Sequence, residues 1–281
     1  MTVSELKANF SSQLSDLYTA SENAFIFQMF AQNILELNTV QQRQLADQEI
    51  SSENEEKFSH IISELKTGRP YLQILGETEF YGMKFFVDEN VLIPRPETEE
   101  LLEIVIREIK KIQSTQVLKI LDIGTGSGVI PLVLKKYFPE AEVSSIDFSE
   151  KALKTAKKNA DYHQLSVNFI HADYLHFELQ EKYDIIISNP PYIGIEEEIE
   201  IADSVKEFEP KMALFSPTAD ALIFYRKIAE DAREHLNDSG LLFLEINQKL
   251  GPETLELYQD FSDAQLLKDL SENDRFIYGK K

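Results

Sequence analysis

Four consecutive residues, Asn189-Pro190-Pro191-Tyr192, bring together groups that can hold a planar amino group. Asn189 offers an amide oxygen, Pro190 a backbone carbonyl with no N–H of its own, and Tyr192 an aromatic face. Proline fixes φ and lacks a donor, so two in succession cannot continue a strand ladder and instead hold the neighbouring acceptors in a rigid turn. The preceding Ile185-Ile186-Ile187 is a β-branched apolar run suited to a strand buried on both faces. Chemistry is expected at the carboxyl end of that strand. Read alone, the four residues are also ordinary strand-ending punctuation, so their weight depends on what other strands deliver to the same place.

Three upstream strands deliver matching residues. From Val117 onward, apolar strands alternate with amphipathic helices, which predicts an α/β fold with a parallel sheet and helices on both faces. The first strand, 119–123, runs into Gly124-Thr125-Gly126-Ser127-Gly128, a turn whose glycines let the backbone approach a ligand closely. It lacks the Gly-Lys-Ser/Thr of a phosphate-binding loop, and its spacing departs from the Gly-x-Gly-x-x-Gly of dinucleotide binders. The second strand, 142–146, ends in Asp147, about twenty residues beyond the turn, where an acid grips ribose hydroxyls in nucleoside-binding α/β folds. The third, 167–170, is followed by Asp173-Tyr174, a carboxylate able to accept from an exocyclic amine beside a ring able to stack on one. Singly, such residues are commonly caps or surface groups. Jointly they sit at the carboxyl ends of successive strands, where open α/β sheets bind ligands.

The remaining segments must support that arrangement. Residues 1–70 read as a small all-α bundle: Leu6, Phe10, Leu14 and Leu17 mark one helix, Phe25, Ile26, Met29, Phe30 and Ile34 a second, and Phe58, Ile61, Ile62 and Leu65 a third. Residues 71–90 have hairpin composition and read as a connector, and 91–281 form the α/β domain. Pro96 or Thr98 can start a helix with an acidic first turn. Residues 193–208 are acidic and read as a mobile flap; a helix over 221–236 and strands over 241–246 and 274–278 complete the pattern.

Composition narrows the function classes. The 281 residues suit one larger domain plus a smaller one, and 43% hydrophobic with 27% charged residues is ordinary globular composition. No apolar run is long enough to span a bilayer, and the first residues show no signal peptide, so a cytoplasmic location is expected. With no cysteine and five scattered histidines, no metal site is expected. A net charge of −21 argues against a nucleic-acid surface and fits a basic protein partner, or simply solubility.

Taken together, the motifs are recognisable. Residues 120–128 resemble motif I of the class I S-adenosylmethionine-dependent methyltransferases, a Rossmann-like fold, and Asn189-Pro190-Pro191-Tyr192 resembles their amino-methylating signature. With Ile93-Pro94-Arg95-Pro96-Glu97-Thr98-Glu99, the 76–82 segment and Phe224-Tyr225-Arg226, the chain from about residue 70 onward resembles the HemK/PrmC family, the release-factor glutamine N5-methyltransferases. It departs from the family pattern at 216–220, where a glycine-containing turn is usual, and at Asn247, where glycine is common. The resemblance implies S-adenosyl-L-methionine as cofactor, held by Asp122, Gly124, Thr125, Gly126, Ser127, Gly128, Asp147, Asp173, Tyr174 and Asn189. It implies a substrate site of Arg95, Glu97, Asn189, Pro190, Pro191 and Tyr192, with Asn189, Pro190 and Tyr192 catalytic. The substrate would be the glutamine of the Gly-Gly-Gln motif in class I peptide chain release factors, and the enzyme a monomer. A ribosomal-protein glutamine, an adenine N6 or a cytosine N4 presents the same planar –NH2, and a non-catalytic cofactor-binding module is the bland alternative.

Overall fold

The computed structural model of the chain describes residues 1–112, 116–194 and 203–281. Five helices open it: α1 Val3–Gln13, α2 Ala20–Ile34, α3 Thr39–Gln44, α4 Ser52–Lys66 and α5 Tyr71–Leu75. A hairpin of β1 Glu77–Phe80 and β2 Met83–Phe86 follows, then α6 Pro96–Ile109, β3 Lys119–Ile123, α7 Val129–Tyr137, β4 Glu142–Asp147, α8 Glu150–His163, β5 Asn168–His171 and β6 Tyr183–Ser188. The C-terminal part carries α9 Asp203–Phe208, α10 Lys211–Leu214, α11 Ile223–His235, β7 Leu236–Glu245, α12 Gly251–Glu256, β8 Asp263–Lys268 and β9 Asp274–Lys280.

The chain divides into two units, Met1–Glu77 with Asp203–Phe208, and Thr78–Ala202 with Glu209–Lys281. In the first, Phe10, Phe27 and Phe58 meet at ring separations of 5.5 to 6.3 Å, within the range where edge-on aromatic pairs add to simple burial. Capping sets the helix starts. Thr19 and Glu22 form a reciprocal capping box on α2, and the Ser51 side chain caps α4. The periodicity placed Leu17 on the first helix, but α1 ends at Gln13 with Leu14 as its cap, and Leu17 is exposed. Three- and four-residue spacing persists across that turn without any hydrogen-bonded helix to carry it. Phe25 likewise lies on the exposed side of α2. The Gln73 side chain donates to the Phe208 carbonyl at 2.8 Å, which explains why α9 clusters with this unit.

The second unit is a seven-stranded sheet in the order β5-β4-β3-β6-β7-β9-β8, parallel except for β9, which runs antiparallel to both neighbours. Alternate residues of β6 feed opposite layers: Ile185 and Ile187 pack with α6 and α7, while Ile186 packs with α11. All three are fully buried, each contributing roughly 1.5–3 kcal/mol of apolar burial. The expected hairpin is present, with Phe80, Met83 and Phe85 in the core of this unit, but Tyr71–Leu75 ahead of it is helical. Edge strand β8 and helix α12 carried no sequence expectation. Half of the 193–208 flap expectation, residues 195–202, lies outside the described residues; Ile193 bridges to Phe215, and Asp203–Phe208 form helix α9 rather than a flap.

Candidate active site

Chain connections from β3 run one way to β4 and β5, whereas β6 and β7 lie on its other side, so the topological switch point falls between β3 and β6. The carboxyl ends of these two strands stay in register, Ile123 opposite Ser188, and Ser188 Oγ donates to the Ile123 carbonyl at 2.7 Å. The glycine turn and Asn189 therefore emerge side by side. They open onto a cavity of about 930 Å³ that also takes in Arg95, Thr98, Asp147, Asp173, Tyr174, Pro190 and Pro191. Gly124, Thr125, Gly126 and Ser127 line it; Gly128, Asp122, Glu97 and Tyr192 do not.

Gly124 and Gly126 both take positive φ, +90° and +53°, which favours glycine. A Cβ at Gly126 would meet nothing within 4 Å, so a side chain there would stand in the space the turn leaves open. Gly128, also at positive φ, is a packing position: a Cβ would come within 3.1 Å of the Ala156 methyl. The Asp147 carboxylate accepts from Gly126 N at 2.9 Å and Ser149 N at 2.8 Å, so it braces the turn and keeps a further lone pair on each oxygen for a ligand hydroxyl. Burial pushes its pKa up, opposed by those two backbone bonds. Asp122 acts at one remove. Its Oδ2 accepts from Ser145 Oγ at 2.5 Å, and Ser145 meets Thr125 Oγ1 at 2.6 Å, which ties the buried carboxyl to the glycine turn.

Asp173 caps the short helix that follows β5 and accepts from His176 Nδ1 at 2.7 Å. Tyr174 is buried, its hydroxyl donating to Asp231 Oδ2 at 2.7 Å. The ring that does stand open on the cavity wall is Phe148, 58% exposed, directly after Asp147. Its position beside the strand-end acid was the available signal.

At the other end, Asn189 Nδ2 donates to Thr98 Oγ1 at 3.2 Å, and Thr98 donates to Glu245 Oε2 at 2.7 Å. Tyr192 lies behind the wall, its hydroxyl 3.5 Å from Glu245 Oε1. Arg95 pairs with Glu209 at 2.5 Å, and Glu209 also accepts from Ile93 N at 3.0 Å, clamping the turn into α6. Burial raises the pKa of Glu245, and the charge of Glu97, in the first turn of α6, adds to the effect. Thr98 and Glu245 were missed as site residues. Glu245 is the lone charge in the apolar run 241–246, and that was the signal. The two departures from the family pattern carry no backbone strain, since among the described residues neither Asn247 (φ −64°) nor any of residues 216–220 has a positive φ.

A mostly parallel sheet with one reversed strand beside its edge, opening at the switch point between a glycine turn and a strand-end acid, defines the class I S-adenosylmethionine-dependent methyltransferases. Solved structures share the fold: a methyltransferase from Pyrococcus furiosus (16% identity, 82% of this chain and 99% of that one, TM-score 0.51) and the hMettl16 catalytic domain (18%, 74% and 80%, TM-score 0.56). The methyltransferase small domain family matches residues 103–207. Release factor glutamine methyltransferases of Flavobacterium psychrophilum (42% identity, 99% of this chain and 98% of that one) and Streptococcus pneumoniae (43%, 82% of each) are similar over most of their length. The chain belongs to the release factor glutamine methyltransferase family. Its cofactor is S-adenosylmethionine, and the open glycine turn with the ribose-ready Asp147 fits that group.

Proposed function

We propose that the chain methylates the side-chain amide nitrogen of the glutamine in the Gly-Gly-Gln motif of class I peptide chain release factors. The observation that carries the chemistry is Asn189: its Nδ2 is engaged by Thr98, its Oδ1 accepts no hydrogen bond among the described residues, and it lines the same cavity as the glycine turn. Asn189 Oδ1 and the Pro190 carbonyl are the two acceptors for the two N–H bonds of an incoming –NH2. S-adenosylmethionine, when bound, supplies an electrophilic methyl group.

An amide nitrogen is a weak nucleophile because its lone pair is delocalised into the carbonyl. Two acceptors on its hydrogens orient that lone pair and favour the positive charge that develops on nitrogen. No strong general base is needed, since the methylated nitrogen is acidic enough to release its proton afterwards. Positioning of this kind supplies roughly 7–11 kcal/mol of barrier reduction. Asp122, Gly124 to Ser127 and Asp147 would serve the cofactor, with Asp122 acting through Ser145; Asp173, Tyr174 and Phe148 would flank its flat base.

The helical unit is assigned to docking of the protein substrate. A glutamine side chain is too small to select one protein, and specific docking needs roughly 800 Å² per partner. Residues 1–75 carry five Lys or Arg against ten Asp or Glu, an acidic bias that suits a basic partner. The same acidity supports a protein over a nucleic-acid substrate, and the enzyme is taken to work as a cytoplasmic monomer. No helix among the described residues is long and apolar enough to cross a membrane.

Incubation with methyl-labelled cofactor and, separately, intact release factor, a release factor whose motif glutamine is replaced, ribosomal protein and DNA tests the reading. Label confined to the intact release factor is expected; label on DNA or ribosomal protein alone overturns it.

A further inference from the structure

We propose that Thr98 and Glu245 form a positioning relay that sets which way round the Asn189 amide faces the substrate. The inference rests on the reading of Asn189 as acceptor for the substrate –NH2. The three residues come from the first turn of α6, the end of β7 and the residue after β6, and they meet in one line of hydrogen bonds. Thr98 is 3% and Glu245 2% exposed, so bulk water does not compete for either.

The logic is one of counting hydrogens. A threonine hydroxyl has one hydrogen and two lone pairs, and an ionised carboxylate only accepts. Thr98 Oγ1 lies 2.7 Å from Glu245 Oε2, so its hydrogen is committed there. It can then only accept from its other neighbour, and only the Nδ2 side of Asn189 has a hydrogen to give. Oδ1 is thereby turned away from Thr98 and left for the substrate. An inverted amide would set an oxygen against the Thr98 lone pairs and present two donors to a substrate that also donates.

Groups from every packed element bear on Glu245. Thr98 and Glu97 face it from α6, Tyr192 from the segment after β6, and Arg275 from β9, while the Tyr225 hydroxyl of α11 donates to its backbone carbonyl at 3.0 Å. Burial pushes the Glu245 carboxyl up to about 7, against the pull of the Thr98 hydrogen bond and the Arg275 charge. Once protonated, Glu245 can donate to Thr98, which frees the Thr98 hydrogen and lets the Asn189 amide sit either way. Turnover therefore rises with pH through the titration of Glu245.

The experiment compares wild type with Thr98→Val, Thr98→Ser and Glu245→Gln in the full-length protein. It measures kcat and KM for release factor, calorimetric affinity for S-adenosylmethionine, and kcat from about pH 6 to about pH 8.5. Wild type labelling no glutamine would refute the reading of the site itself, before any variant is compared. With wild type active, Thr98→Val is expected to lose about 10–100-fold in kcat with cofactor affinity held within about twofold, and Thr98→Ser to recover to within about threefold. Glu245→Gln, which can donate or accept, is expected to lose the rise of kcat with pH. The relay is overturned if Thr98→Val turns over like wild type, if Thr98→Ser is as impaired as Thr98→Val, or if the pH rise survives in Glu245→Gln. Should the valine variant fail to fold, the serine and glutamine variants decide alone, and a wild-type kcat flat across that pH range overturns the relay without any variant.

Discussion

Two buried carboxyls stand behind the two halves of the cavity, and they are held differently. Asp122, on β3, reaches the glycine turn through Ser145 and Thr125; Glu245, on β7, reaches Asn189 through Thr98. In each case a hydroxyl stands between a strand carboxyl and a group on the cavity wall. Their electrostatic settings diverge. Asp122 is raised well above the usual carboxylate range by burial, with the Asp147 charge adding to the effect and only the Ser145 hydrogen bond opposing it, and its Oδ1 has no partner among the described residues. Glu245 is raised by burial too, but the Thr98 hydrogen bond, the Arg275 charge and Tyr192 pull the other way, and it settles at about 7. The first braces the glycine turn from behind, whereas the second titrates near neutral pH.

That contrast breaks most visibly at the cavity wall itself. Asn189→Ala is expected to cut kcat by about 10²–10³ or more while cofactor affinity weakens only slightly, because a preorganised contact to the reacting nitrogen is lost. Asp147→Ala should act on the other half, weakening calorimetric cofactor affinity by about 10–100-fold with saturated kcat little changed, at about 1–3 kcal/mol for a charged acceptor. Equal damage to affinity by both substitutions would refute the division of labour.

Smaller effects sharpen the comparison of the two braces. Ser145→Ala leaves Asp122 and Thr125 each short of a partner and is expected to destabilise the protein by about 1–3 kcal/mol in denaturant titration. An unchanged midpoint would show that this chain of hydroxyls holds nothing. Glu245→Gln is read as a change with pH rather than at one pH, and its sign follows from linkage. The folded pKa is raised, so the folded state holds the proton more tightly than the unfolded chain, and wild type loses stability as pH rises from the unfolded value near 4.5 to about 7. Glutamine does not titrate. The stability difference in favour of Glu245→Gln should therefore grow across that window, by roughly 3 kcal/mol, and level off above it. Asp122→Asn should share the sign while leaving the pH profile of kcat intact; a matching loss of that profile would show that the two carboxyls are not distinct in role.

Local sequence was sufficient for the elements that carry the ligand groups. Ile185-Ile186-Ile187 bounded by Asn189-Pro190 could be little other than a buried strand with a hard stop, and the alternation from Val117 onward required a parallel sheet, since each apolar run is too short and too β-branched for a helix. Parallel connectivity then sends every strand's carboxyl end to the same edge, so Gly124, Asp147, Asp173 and Asn189 had to come near one another. Only the tertiary structure decided which way individual side chains turn. Asp122 and Asp147 both lie on sheet strands, yet one is sealed behind Ser145 and the other lines the cavity. Tyr174 spends its hydroxyl on Asp231 from α11, and Thr98, which reads as a helix start, becomes the partner of Glu245 almost 150 residues away (|i−j| = 147). Such pairings depend on which helix face meets which strand end across the sheet. That is a matter of packing over long sequence separations, and hydrophobic period and turn chemistry, being local, do not encode it.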